Sequence, residues 1–347
     1  MKGKIKFRII IPILIFLSIF LFLKNINPLR NQAKIKKIIS ENKRTIIFEA
    51  FFNQELIQIE FQKKGESYIP KIGDRILVEK AGKNYFIADF YRLDKLVILF
   101  ILFLATTIFF IGKESIGSLI SLFLSFIIIF GSIINNLINQ TDPVITVLLS
   151  MIFLTPISFY LSHGINKKTT IAIFGSLISI IIALILSLIF IKKSLITGTT
   201  AEETGFLTAI TQKNFDFQGL LFASIIIGIF GSIDDITVSQ VSVVEKIISA
   251  NPKIPAEEIY QKAIAVGKDH VNSIINTLVL VYTSASFPLL LLFAVSNKNF
   301  LEVLNYEIIS VEIMRILIAT ICVIIAIPLT TYLAVKNLNK RNISNQF

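Results

Sequence analysis

Hydrophobic positions along the chain fall into two patterns. Long apolar runs occur at 9–23, 96–111, 116–138, 144–162, 169–191, 217–233, 273–295 and 309–335. About 18 or more apolar residues in helical form cross the hydrocarbon core of a bilayer, and these runs meet or approach that length. Residues 24–94 follow the other pattern. Ile46, Phe48, Ala50 and Phe52 alternate with more polar neighbours, as do Ile57, Ile59 and Phe61, which is the period of a half-buried strand. Strands are expected at 44–52, 56–63, 74–80 and 84–91, turns at Asn53-Gln54 and 70–73, and a short helix at 31–40, with Phe48, Phe52, Phe61, Ile76, Val78 and Ile87 as the candidate core. The expected fold class is an all-α polytopic membrane bundle of about eight transmembrane helices, with a small extracytoplasmic β domain after the first helix. Its parts are an anchor at 1–23, a β-rich domain at 24–94 and a seven-helix domain at 95–347 with a cytoplasmic loop at 236–270.

Charge sets the orientation. Lys2, Lys4, Lys6 and Arg8 precede the first run, and Lys24-Asn25-Ile26-Asn27-Pro28 after it is no cleavage site, so an uncleaved anchor with a cytoplasmic N-terminus is expected. Counting onward places Lys113, Lys167, Lys168, Lys246, Lys253, Lys262, Lys268, Lys336, Lys340 and Arg341 inside, against Lys192, Lys193, Lys213 and Lys298 in short outer loops. This is the positive-inside bias. It puts the C-terminus in the cytoplasm as well and accounts for much of the net charge of +11, so no nucleic-acid partner is expected. With 54% hydrophobic residues, the chain is outside the soluble range. The lone Cys322 excludes an intrachain disulfide and a cysteine metal cluster. GxxxxGK[ST], HExxH and GxSxG patterns are absent from the sequence, which argues against a P-loop engine, a zincin and a serine hydrolase. No catalytic residue, cofactor or metal site is expected, and the chain is not read as an enzyme.

The informative positions are polar ones inside apolar runs. On a helix of 3.6 residues per turn, Ser224, Gly228, Gly231, Asp235, Ser239 and Ser242 share one face. Small residues let a neighbouring helix approach, so Asp235 is expected to face protein, with Asp234 on its flank. An acid inside a bundle is a candidate ion- or proton-binding group; the plainer alternative is a pair of carboxylates that reach cytoplasmic water and cap the loop. In the next run, Asp269, Ser273, Asn276, Thr277, Thr283 and Ser284 share a broad face, as a ligand wall or as ordinary interhelical hydrogen bonds. Pro288 is expected to free the carbonyl of Ser284. In the last run Glu312 and Arg315 can pair at i, i+3, with snorkelling to the outer surface as the alternative. His270, beside Asp269, reads as a capping or pH-tuned group rather than a ligand. Thr200 and Glu203 have capping-box spacing for a short helix in an outer loop.

Four stretches in order, EETGFLTAITQKNFDFQGLL, GSIDDITVSQVSVVEKI, VGKDHVNSIINTLVLVYTSASFPLLLLF and MRILIATICVIIAIPLTTYLA, resemble the YibE/F family of bacterial multi-pass membrane proteins. The resemblance runs from Glu202 to Ala334, and the upstream layout is similar too. Asp234-Asp235 stands where many members show one acid, and Lys268 where arginine is usual. The resemblance implies a bacterial cell-membrane location but no defined activity. At the level of fold alone, an acid ending one span, a short cytoplasmic helix near Pro255–Ala265 and then an Asn/Thr-rich re-entering span are similar to half of a SecD/SecF or resistance-nodulation-division repeat. The functional expectation is a transporter or ion-coupled permease, with Asp235 coupling and Asn276 and Thr277 as ligands. The alternative is a non-transporting scaffold or accessory subunit of an export machine. The partners this admits are the lipid bilayer, a small ion or solute, and a homo- or hetero-oligomeric subunit.

Overall fold

The computed structural model describes residues 31–63, 68–82, 84–199, 202–211, 213–296 and 298–338. They belong to two compact units, Met1–Ser115 and Ile116–Phe347. The anchor expected at 9–23 lies outside the described residues.

The first unit contains a closed barrel of β1 (Gln32–Glu41), β2 (Thr45–Phe52), β3 (Glu55–Gln62), β4 (Arg75–Ala81) and β5 (Asn84–Phe90). The order around it is β1-β2-β3-β5-β4. β3 and β5 pair in parallel and the other neighbours are antiparallel, the arrangement of a small Greek-key barrel of the OB type. Asn53 and Gln54 both take positive φ, 46° and 71°, between the paired Phe52 and Glu55. A two-residue hairpin of this hand matches the twist of its strands. Ala33, Ile35, Ile46, Phe48, Ala50, Ile57, Ile59, Phe61, Ile76 and Val78 fill the interior, with Phe52 and Ile87 half-buried against them.

The helix expected at 31–40 is instead strand β1. Its register against β2 shifts between Ile35 and Lys37 and again between Ile38 and Ser40. Each bulge inserts a residue and breaks the two-residue period. The inward-facing Ala33, Ile35 and Ile38 are therefore spaced by two and then three, which imitates a helical pattern.

After β5, Arg92 donates from Nη1 to both carboxylate oxygens of Asp89 at 2.8 Å. This contact, and then the Phe90 backbone N–H, hold the Asp89 carboxyl below its ordinary range. Helix α1 (Leu93–Ile111) begins beyond it.

The second unit holds α2 (Ser115–Ile138, with a π-helical segment at Ile129–Ile134), α3 (Pro143–His163), α4 (Lys167–Lys193), α5 (Glu202–Thr211), α6 (Phe217–Ala250), α7 (Ala256–Ala285), α8 (Phe287–Val295), α9 (Phe300–Asn305) and α10 (Glu307–Leu338). The start signals are local. Asp142 accepts from the backbone N–H groups of Val144 and Ile145 with Pro143 at the first helical position, Asn166 accepts from Thr169, and Asp216 accepts from Gly219; each side chain caps otherwise orphaned donors. At the other end of the loop from α4, the Glu307 carboxylate accepts from the backbone N–H of Thr197 and Gly198 at 2.9 and 2.7 Å.

Six described helices are long and apolar enough to cross a membrane, or seven if the α7–α8 pair, bent by 66°, is one span. The break falls at Ser286, just before Phe287-Pro288. The Ser284 carbonyl is not left open there, since the Ser286 N–H turns back to it. The loop expected at 236–270 is mostly helix: α6 continues to Ala250 and α7 starts at Ala256. The 34 residues of α6 measure about 51 Å at ~1.5 Å per residue, against a hydrocarbon core of about 30 Å. The polar half of this rod therefore projects beyond the bilayer.

Helices α4, α6 and α10 pack on one another, α3 lies against α4 and α6, and α7 against α6 and α10. Gly175 lets α4 approach α10 closely, for a Cβ there would stand 2.4 Å from Thr330 Oγ1. The opposite faces carry exposed Phe123, Phe153 and Phe174, suited to lipid.

A soluble fragment of residues 31–92 is expected to melt cooperatively with a β-type circular dichroism spectrum. Phe48→Ala should lower its unfolding free energy by about 3–5 kcal/mol, as for other buried aromatic truncations. Because the Asp89 carboxyl is held low in the fold, its contribution is complete above the usual carboxylate range and is lost as pH falls through its folded value. Arg92→Gln should therefore flatten the acid side of the melting profile; an unchanged profile would show that this ion pair does not contribute.

Candidate functional site

Helices α6, α7 and α10 are joined at two levels, the first by a side chain that sequence patterning does not single out. At the first level Gln240 of α6 is fully enclosed. Its Nε2 donates to the Ala263 carbonyl of α7 at 2.8 Å and to Thr331 Oγ1 of α10 at 2.7 Å. Thr331 in turn donates to the Ile327 carbonyl. Gly267 makes room, since a Cβ there would stand 2.9 Å from Gln240 Oε1 and 2.7 Å from Ile327 Cγ2. A buried amide is costly unless its groups are bonded, and here both bonds of Nε2 cross to other helices.

At the second level the join is charged. Arg315 Nη1 donates to Glu312 Oε1 and Oε2 at 2.9 and 3.1 Å, and Nη2 donates to Ser224 Oγ of α6 at 3.2 Å. The guanidinium stands 5.8 Å from the ring centroid of Tyr282 on α7, within cation–π range. The Tyr282 hydroxyl lies over Gly228, 2.7 Å from where a Cβ would be. The two charged side chains retain 21% and 23% of their exposure, and Arg315 Nε is buried without a partner among the described residues. The i, i+3 pair expected from the sequence is present, and Arg315 reaches sideways to α6 and α7 as well as along its own helix.

Asp234 and Asp235 lie on α6 between these two levels, and Asn272, Ser273, Asn276 and Thr277 lie between them on the antiparallel α7. Their orientation corrects the expectation. Asp235 is exposed, together with Ser224, Gly228 and Gly231, so this face of α6 is not enclosed by the bundle, although Ser224 and Gly228 on it still meet Arg315 and Tyr282. Asp234 is the more enclosed acid, and its Oδ1 is buried with no partner among the described residues. Ser239 is half-buried. Asp269, Asn276 and Thr277 are exposed and His270 is half-buried; Thr277 Oγ1 donates to the Ser273 carbonyl of its own helix at 3.0 Å. Asn276 and Thr277 thus do not turn toward the packed side of α6. Among the described residues no three His, Cys, Asp or Glu side chains come together as a metal set.

The sequence model of the family described as YibE/F-like protein matches residues 99–340. The chain belongs to the YibE/F-like family. No curated protein and no solved structure matches it. The YibE/F-like region begins within α1 and includes both interhelical joins, the acid pair and the polar stripe of α7, whereas the barrel lies before it. Its membrane-length apolar helices and its family together make this a membrane protein.

Two residues that shape the site, Gln240 and Tyr282, were not among the sequence candidates. A signal for Gln240 was available: it lies one residue past Ser239 in a helix whose other enclosed positions are apolar or small. Gln240→Ala is expected to lower stability by about 2 kcal/mol or more, combining a cavity with lost buried bonds. Denaturation in detergent, with the exposed Asp269→Asn as a control changing by no more than ~0.5 kcal/mol, measures the difference; equal midpoints for the two variants would remove the join from the stability account.

Proposed function

We propose that this YibE/F-like protein is an ion-coupled permease whose coupling groups are Asp234 and the Glu312–Arg315 pair. The observation that carries the reading is the charged pair inside a membrane-length helix, bonded across to Ser224 and facing Tyr282, so that three spans meet at one ionic contact. Charges at membrane depth are expensive and serve as substrate or proton sites in most bundles that keep them. Asp234 supplies an acid with an unpaired enclosed oxygen on the same helix as Ser224. In this reading Asp234 takes the role first given to Asp235, because the enclosed carboxylate gains most from binding a proton or a small cation. Ser239, Asp269, Asn276 and Thr277 then do not bind the ion in the enclosed site, since they lie half-buried or exposed outside it. Both termini are cytoplasmic and the barrel is extracytoplasmic, as the lysine asymmetry indicates.

A second reading, a non-transporting scaffold or accessory subunit of an export machine, draws on the exposure of Asp235, which fits an acid that meets water or a partner. Flux separates the two. Purified protein in liposomes is given proton, sodium and potassium gradients and a panel of small solutes, with an internal dye or tracer as readout. The permease reading expects gradient-driven flux that falls about tenfold or more in Asp234→Asn and in Arg315→Gln, the loss of one contact of ~1.4 kcal/mol, while Asp235→Asn keeps most of it. Folded native protein with no flux under any gradient would favour the scaffold.

A further inference from the structure

The polar side of α7 faces the wrong way for a helix in lipid. Val271 and Leu278 are its packed residues at membrane depth, while Asn272, Ser273, Asn276, Thr277 and Ser284 are exposed. The hydroxyls of Thr277 and Ser284 close on their own helix, at the Ser273 and Val281 carbonyls. The carboxamides of Asn272 and Asn276 have no hydrogen-bond partner among the described residues. Hydrocarbon offers nothing to bond these groups, so a polar surface must cover them.

The remaining apolar segments of the chain have the wrong chemistry to do so. Run 9–23 contains one polar side chain, Ser18. In α1 the hydroxyls of Thr106 and Thr107 are already donated to the Leu102 and Phe103 carbonyls. The α7 stripe itself does have the right chemistry. From Asn272 to Ser284 its exposed polar groups are uncharged, and each carries both a donor and an acceptor. A two-fold axis along the membrane normal brings equal depths together. Asn276 then meets Asn276, each amide giving and receiving one bond, and no like charges oppose each other at that depth. Asparagine pairs of this kind drive helix association in bilayers and fix the register of parallel helix dimers.

We propose that the exposed polar stripe of α7 is the interface with a second copy of this chain, which pairs Asn276 with Asn276 across a two-fold axis. The proposal does not depend on the permease reading, since it rests on the outward face of α7 and not on Asp234 or Arg315.

Disulfide trapping in native membranes tests it. The only native cysteine, Cys322, is fully enclosed, so the unmodified chain is the blank. Asn276→Cys and Thr283→Cys, both on the stripe side of α7, are compared with Phe174→Cys on the lipid-facing side of α4. Oxidation should yield a species of twice the chain mass for the first two and none for the third or the blank. Asn276→Leu, solubilised in mild detergent, should shift the protein from dimer toward monomer, and Asn276→Gln should restore the dimer. Equal trapping at all three positions would overturn the proposal as random collision. Thiol labelling from water at Asn276→Cys without trapping would overturn it in favour of an aqueous cavity. A cross-linked species of another mass would overturn it in favour of a different protein.

Discussion

A single glutamine constrains most of the helical unit. Gln240 sits where α6, α7 and α10 converge, and its amide bonds two of them to the third. In a bilayer the hydrophobic effect does not drive one span against another, so association rests on close packing and on interhelical hydrogen bonds. The Gln240 contact has both. Gly267 admits the side chain at a distance no larger residue would allow, and Thr331 accepts one of its protons while donating its own to Ile327. The same economy appears at Gly175 against Thr330 and at Gly228 against Tyr282. With one level fixed by Gln240 and the other by Arg315, the intervening turns of α6 and α7 are held at a set height and rotation. That stretch contains Asp234, Asp235 and Asn276.

The two joins differ in kind, and the difference matters for function. The Gln240 join is neutral and enclosed, with both amide protons bonded, a contact that stabilises one arrangement. The Arg315 join is ionic and partly open, with one nitrogen unpaired. A bonded neutral amide has little to gain from an ion, whereas an ionic contact with spare capacity can exchange partners when a proton or cation arrives. A break in the helix lies beside it: Tyr282 is one turn before the 66° bend at Ser286.

Much of the fold was legible in the sequence, and the failures have physical causes. The spans could be read because apolar length is a direct response to bilayer thickness. Strands β2 to β5 could be read because the two-residue period holds over most of each, with one irregularity in the β4–β5 pairing, while β1 could not because two bulges disturb it. The segment 236–270 looked like a loop because its polarity rises, yet a helix loses only its apolar face on leaving the membrane, not its backbone bonds. The site was harder. Periodicity placed Ser224, Gly228, Gly231 and Asp235 on one face, and they do share it, but a helical wheel has no absolute direction. Only the neighbours decide which face is inside, and those packed on α6 leave Asp235 exposed. Asp234, a single residue and about 100° away, is therefore the enclosed acid. Glu312 and Arg315 were legible because they are close in sequence; Ser224 and Tyr282, which complete their contact, are far from it along the chain.

The central claim is that an enclosed acid and an ionic contact between spans, rather than the exposed acid beside them, respond to a permeating ion. Charge displacement on a solid-supported membrane tests this most directly, because it records ion binding even when no solute is carried. After a rapid step in proton or cation concentration, the native protein should give a transient current that Asp234→Asn abolishes and Asp235→Asn leaves in place. A transient that survives in Asp234→Asn, or disappears in Asp235→Asn alone, would contradict the account.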